Sequence, residues 1–289
     1  MFVDSFHLSG LEELLRDRRK RGFWEPKIRA FVAAAYDIRC SGFENVESVR
    51  SSRKPFIVAP AHDGFFDGFI IASLLPELDF ALAKEECWLN PLFRYFVPDL
   101  GGIPAVRRER LDVLRKRYGK GTVFDTYDNY ITAQGRFRFD RYLPADRSQE
   151  IVQDIARVVV RVDDPKTGAQ RMIRGLEDID TVVLAQYVLL QRRNLLIFPQ
   201  GTRKPVDVES VKHGLYNILH DLALFHGEVV PVIPVGLRYG MGWFYHSIVE
   251  VCFGKPCDVS SYLGPHSSKL HESFMREIMK DIRMMSGDK

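Results

Sequence analysis

Five short, continuously apolar runs, at 56–60, 79–83, 194–198, 229–237 and 247–253, alternate with segments of helical character at 66–75, 88–97, 176–193, 209–226 and 268–285. Strands without a polar face must be covered on both sides. Their alternation with helices predicts an α/β fold, a mostly parallel central sheet flanked by helices. The first run, Phe56-Ile57-Val58-Ala59, leads into Pro60-Ala61-His62-Asp63-Gly64, and Phe69 to Leu75 follow as a short helix stopped by Pro76. Open α/β sheets place ligands at such strand-to-helix turns, and this one carries a histidine and two acids. On a single helix His62 and Asp67 would stand about 140° apart. If the helix starts only near Gly64, His62 belongs to the loop and Asp67 reaches back to it from the first turns. The two then form a dyad in which the acid orients the imidazole and stabilises its charged form. The plain alternative is an ordinary solvated turn.

The chain has 289 residues, enough for one sizeable core. Apolar residues make up 46% and charged ones 27%, which is a globular balance. A net charge of +3 is too weak to argue for nucleic acid. Cys40, Cys87, Cys252 and Cys257 form no C-x-x-C pair and read as reduced thiols of a cytoplasmic protein. The N-terminus has no apolar h-region, and no apolar run reaches the ~18 residues of a spanning helix. These features leave a protein that is soluble or sits on a membrane without crossing it, and the expected place is the cytoplasm, peripheral on the inner face of a membrane.

Residues 1–48 read as an N-terminal basic, amphipathic helical segment. A helix is expected at 8–22, with Arg16 to Arg21 strongly basic, followed by Phe23-Trp24 and a second apolar stretch from Ile28 to Tyr36. A basic helix followed by aromatics suits a membrane interface and equally suits packing on the domain. Residues 49–289 read as the α/β domain, interrupted by a polar insertion at 109–174. Within it Arg136 to Phe139 alternates like a strand, and 148–160 has helical character. Asp163 to Gly168 is a turn signal between Val158–Val162 and Gln170–Arg174.

Three more stretches add chemistry. Gly101-Gly102-Ile103-Pro104-Ala105-Val106 permits close backbone approach and runs straight into Arg107 and Arg108, which suits an anion. Phe198-Pro199-Gln200-Gly201-Thr202-Arg203 follows a strand with backbone N–H groups, a hydroxyl and a guanidinium fork that together suit a phosphate. Val230-Pro231-Val232-Ile233-Pro234-Val235 has two prolines that cannot donate to a ladder, the mark of an edge, a bulge or a ligand groove.

In this order the blocks resemble the glycerolipid acyltransferase superfamily, most closely the 1-acyl-glycerol-3-phosphate acyltransferases. That family carries H-x-x-x-x-D, a Gly-x-Ile-x-x-x-Arg block, F-P-E-G-T-R and a V-P-V-type strand. Here these are His62 to Asp67, Gly101 to Arg108, Phe198 to Arg203 and Val230 to Val235, with Lys212-His213-Gly214 matching the usual Lys-x-Gly. The resemblance covers roughly 36–107 and 175–240. Gln200 stands where the family usually has Glu, and the insertion makes the spacing from Arg107 to Phe198 long.

The resemblance implies transfer of a fatty acyl group from acyl-CoA or acyl carrier protein to a hydroxyl of a glycerophosphate or lysophospholipid-type acceptor at a membrane surface. His62, held by Asp67, is then the general base. Lys84, Arg107, Arg108, Gln200, Gly201, Thr202, Arg203 and Lys212 bind substrate and its phosphate. No tightly bound cofactor and no metal are expected. No G-x-S-x-G elbow occurs, so a serine acyl-enzyme lacks support and direct transfer is expected. Phe65, Phe66, Trp88 and Phe93 are candidate walls for the acyl chain. Two rival readings are a metal-dependent hydrolase built on the same turn and a non-catalytic lipid-binding member of the fold.

Overall fold

The computed structural model of the chain describes residues 18–84, 101–105, 159–163, 170–174, 181–201, 214–240, 247–263 and 268–287. The expected helix at 88–97, the alternating stretch at Arg136 to Phe139 and residues 8–17 lie outside them.

The chain enters through helix α1 (Arg18–Ala35), strand β1 (Tyr36–Ser41) and helix α2 (Phe43–Ser51). Strand β2 (Ile57–Pro60), helix α3 (Asp67–Leu74), strand β3 (Leu78–Lys84) and strand β4 (Gly102–Ala105) follow. Next come β5 (Val159–Asp163), β6 (Gln170–Arg174), α4 (Thr181–Leu190), β7 (Asn194–Leu196) and α5 (Gly214–His226). Strands β8 (Val232–Tyr239) and β9 (Ser247–Phe253) lead to α6 (Ser268–Ser286).

Seven strands form one sheet in the order β1-β9-β8-β2-β7-β3-β4. Every neighbouring pair is parallel except β8 with β9. This is the mostly parallel α/β sheet that the apolar runs predict. Its central strand, β2, is buried along its whole length, with Ile57, Val58 and Ala59 fully excluded from solvent. Strands β5 and β6 pair antiparallel in a separate hairpin around the predicted turn, with Val159 opposite Arg174. Val159 and Val160 therefore belong to a strand and not to the helix expected over 148–160.

Of the edge, bulge or groove that the prolines of 230–235 suggest, the edge is excluded: strand β8 is interior, between β9 and β2. Its Pro234 is accommodated because the ladder to β9 begins only at Val235↔Phe253, while Val232 bridges to Cys257. Pro234 falls between these two contacts, and its carbonyl still accepts from Gly254 N–H. At the other end of the chain, one helix of 18 residues runs through Pro26, where the sequence suggests two separate stretches. Pro26 is exposed within that helix.

Helix α6 closes the fold by lying hard against β8. A methyl group built on Gly236 would come within 2.3 Å of Met285 Cβ, so only glycine permits that approach.

Candidate active site

Strands β8, β2 and β7 are adjacent and parallel, so their C-terminal ends open on one edge of the sheet. The loop after β2, the turn after β7 and the last residue of β8 therefore converge, although they are far apart in sequence. Ala61 N–H extends the β2–β8 ladder to Val235, and the next residue is His62.

Helix α3 begins at Asp67, so His62 belongs to the loop. Its ring Nδ1 lies 3.2 Å from Asp67 Oδ2. The same oxygen accepts from the backbone N–H groups of Asp63 and Gly64, both at 2.8 Å. The phenol of Tyr239, at the end of β8, donates to Asp67 Oδ1. Asp67 is completely buried. An ionised carboxylate there needs donors on both oxygens, and these four groups supply three at Oδ2 and one at Oδ1. Its position at the start of a helix favours negative charge further.

A carboxylate only accepts, so Nδ1 of His62 carries the hydrogen and Nε2 keeps its lone pair. The His62 ring stacks on Phe198 with centroids 4.2 Å apart and planes 29° apart. Its backbone N–H donates to Gln200 Oε1 at 2.6 Å. With 14% of its side chain exposed against none for Asp67, His62 is the member of the pair that a substrate can meet. The arrangement suits abstraction of a proton by Nε2, with Asp67 stabilising the imidazolium.

The turn after β7 is tight. Gly201 N–H closes it on the carbonyl of Phe198 at 3.0 Å, and Gly201 takes φ of 63°, which favours glycine. Gln200, expected among the substrate-binding residues, is buried at 6% exposure with its oxygen turned to the His62 backbone. Lys84 ends β3 opposite Ala105, at the same edge of the sheet. Arg107, Arg108, Thr202, Arg203, Lys212, Trp88 and Phe93 lie outside the described residues. Among the described residues, no three His, Cys, Asp or Glu side chains are grouped to hold a metal ion.

Two tyrosines flank the dyad that the sequence does not single out. Tyr239 touches Asp67, and Tyr36 at the head of β1 meets the Tyr239 ring edge-on at 6.5 Å. Burial pushes the Tyr239 phenol far above its ordinary range, and the charge of Asp67 raises it further. Tyr36 is raised for the same two reasons in the same order. Both stay protonated, so Tyr239 is a dependable donor. Beside them Phe66 gathers Phe31 of α1 at 5.2 Å, Phe65 at 5.1 Å and Phe69 at 6.1 Å. Phe31 and Phe65 stay exposed at 44% and 43%.

Residues 37–127, which contain the whole His62–Asp67 turn, match the model of the family described as Acyltransferase. Over that stretch the chain is similar to the acyltransferase family. Among curated proteins none matches this chain. Among solved structures it is similar to the 1-acyl-sn-glycerophosphate (LPA) acyltransferase PlsC from Thermotoga maritima, at 17% identity. That alignment covers 94% of this chain and 83% of that one, with a TM-score of 0.48. No helix among the described residues is long and apolar enough to cross a membrane.

Proposed function

We propose that this protein is an O-acyltransferase that moves a fatty acyl group from a thioester, acyl-CoA or acyl carrier protein, to a hydroxyl of a glycerophosphate or lysophospholipid acceptor. The observation that carries the reading is the contact of His62 Nδ1 with buried Asp67 Oδ2 at 3.2 Å, at the C-terminal edge of the sheet. In the proposed reaction His62 Nε2 takes the proton of the acceptor hydroxyl as its oxygen attacks the thioester carbonyl. The C–S bond then breaks, and the leaving thiolate recovers the proton from the imidazolium. Lys84, Arg107, Arg108, Arg203 and Lys212 supply cations for the phosphates of acceptor and donor, with Gly201 and Thr202 beside them.

Gln200 is compatible with turnover. Its described contact needs an acceptor oxygen toward His62 N–H, and a neutral amide supplies one as well as a carboxylate does. That favours catalysis over a lipid-binding role without chemistry. The exposed Phe31 and Phe65, on and beside a helix that begins Arg18-Arg19-Lys20-Arg21, support peripheral docking on an anionic membrane surface.

The deciding experiment is His62→Ala, assayed with palmitoyl-CoA and 1-oleoyl-lysophosphatidate. General-base help is typically worth ~10²–10⁴-fold, so transfer should fall by at least about a hundredfold while circular dichroism stays that of the wild type. Transfer surviving within about tenfold of wild type would sink the general-base reading.

A further inference from the structure

We propose that Tyr239 is a positioning residue of this site: its phenol O–H donates to Asp67 Oδ1 and so holds that side of the carboxylate and sets the electron density of the group that His62 meets. The inference deepens the general-base reading and rests on it.

The geometry divides the work on Asp67 between its two oxygens. Oδ2 is pinned by the N–H groups of Asp63 and Gly64 and faces His62 Nδ1. Those two donors come from the backbone of the same loop and hold the oxygen that faces His62. Oδ1 takes its hydrogen bond from Tyr239, a residue of another strand 172 positions away. Tyr239 itself is held from the side by the Tyr36 ring. The titratable groups around the Tyr239–Asp67 pair are His62 and Asp63 on the loop and Tyr36 on β1. Both tyrosines are neutral, so Tyr239 acts on Asp67 as a donor and not as a charge.

A hydrogen bond into a carboxylate withdraws electron density from it. With Tyr239 donating, Asp67 supports the imidazolium less strongly than a bare carboxylate would. Without the phenol O–H, Oδ2 keeps its backbone donors and its place by His62, yet carries more charge. The imidazolium is then stabilised more, and the base is lost to protonation at a higher pH.

The test compares the full-length wild type, Tyr239→Phe, Tyr239→3-fluorotyrosine and His62→Ala, using palmitoyl-CoA and 1-oleoyl-lysophosphatidate. Tyr239→Phe should lower kcat by about tenfold with KM within about twofold, and move the acid limb of the kcat/KM profile to higher pH. The fluorinated ring keeps the shape of tyrosine and donates more strongly, so it should move the limb the opposite way. Proton NMR gives a readout without substrate: the downfield ring N–H signal of His62, assigned by its loss in His62→Ala, should move further downfield in Tyr239→Phe. A drop in kcat with an unmoved acid limb and an unmoved N–H signal would mark Tyr239 as mere support and overturn the proposal. With His62→Ala inactive, that result leaves the base reading standing. If His62→Ala stays active, the base reading falls and takes the proposal with it.

Discussion

The backbone N–H of His62 donates to Gln200 Oε1 at 2.6 Å, joining the loop after β2 to the turn after β7 across 138 residues of sequence. Gln200→Leu removes that acceptor and leaves a buried donor without its partner. An unmet buried group costs about 1–3 kcal/mol, and the loop that carries the base loosens with it. Gln200→Glu keeps an oxygen in place, so it should retain more stability and more transfer than Gln200→Leu. Urea denaturation and the acyl-transfer assay give the two rankings; a leucine variant as stable and as active as the glutamate variant contradicts this account.

Two glycines of the same turn should respond in opposite ways to alanine. A methyl group on Gly64 would lie 2.6 Å from the Tyr239 oxygen and 2.7 Å from Asp67 Oδ1, inside the hydrogen bond that seats the carboxylate. On Gly68, inside α3, the nearest atom is Phe198 Cζ at 3.7 Å, an ordinary contact. Gly64→Ala should destabilise by about 1–3 kcal/mol and lower kcat by about a hundredfold. Gly68→Ala should gain helix propensity of up to about 1 kcal/mol and keep its activity. Thermal melts and initial rates on the two variants decide it, and equal behaviour would falsify the close-packed seat of Asp67.

The contrast between His62 and Tyr239 shows what a sequence can disclose. His62 and Asp67 are five residues apart, so a strand, a turn and a helix start are enough to bring them together. Tyr239 meets Asp67 only because β8 lies beside β2, and no local pattern encodes that adjacency. Gln200 was legible as a member of a block, while its described partner, a backbone N–H in another loop, was not. The sheet was readable through strands such as β2, buried on both faces. Strand β1 escaped because it is a sheet edge; Asp37, Arg39, Cys40 and Ser41 are exposed, and its polar sequence lacks the continuous apolar run. It lies inside the stretch 1–48 that the sequence sets apart, and it joins the main sheet through β9. Pro231 and Pro234 left an edge, a bulge and a groove open, and β8 can be interior because its ladder to β9 has a gap at Pro234.

Stability should fall on mild acidification through His226. It ends α5, where the helix terminus and nearby Asp221 and Glu228 favour the charged form, but burial outweighs them and pushes the imidazole below its ordinary value. The unfolded chain therefore binds the proton more readily than the folded one. Stability is fully present above the ordinary histidine value of about 6.5 and declines as pH falls through it toward the lower folded value. His226 Nε2 is buried and makes no hydrogen bond, so a neutral replacement forfeits no bond at that atom. Denaturation midpoints at pH 8 and pH 5 should draw closer in His226→Gln than in the wild type. An unchanged gap would assign the acid sensitivity to other groups.

Asn194 should matter to the fold and not to the chemistry. It opens β7, at the end of the sheet opposite His62. Its Oδ1 accepts from Phe56 N–H at 3.1 Å and its Nδ2 donates to the Glu77 carbonyl at 3.0 Å. Its own N–H donates to Asp79 Oδ2 at 3.2 Å, so one residue ties the approaches to β2 and β3 to the start of β7. Asn194→Ala removes both side-chain bonds and strands the N–H of Phe56, which is 2% exposed. The loss should be about 2–4 kcal/mol, from one unmet buried donor and one further hydrogen bond. Because the parallel strands carry the site at their other ends, kcat measured well below the melting temperature should stay within about twofold of wild type. A variant that melts normally but loses turnover would mean that the two ends of the sheet are coupled, and that the site depends on more than the strand ends that converge on the dyad.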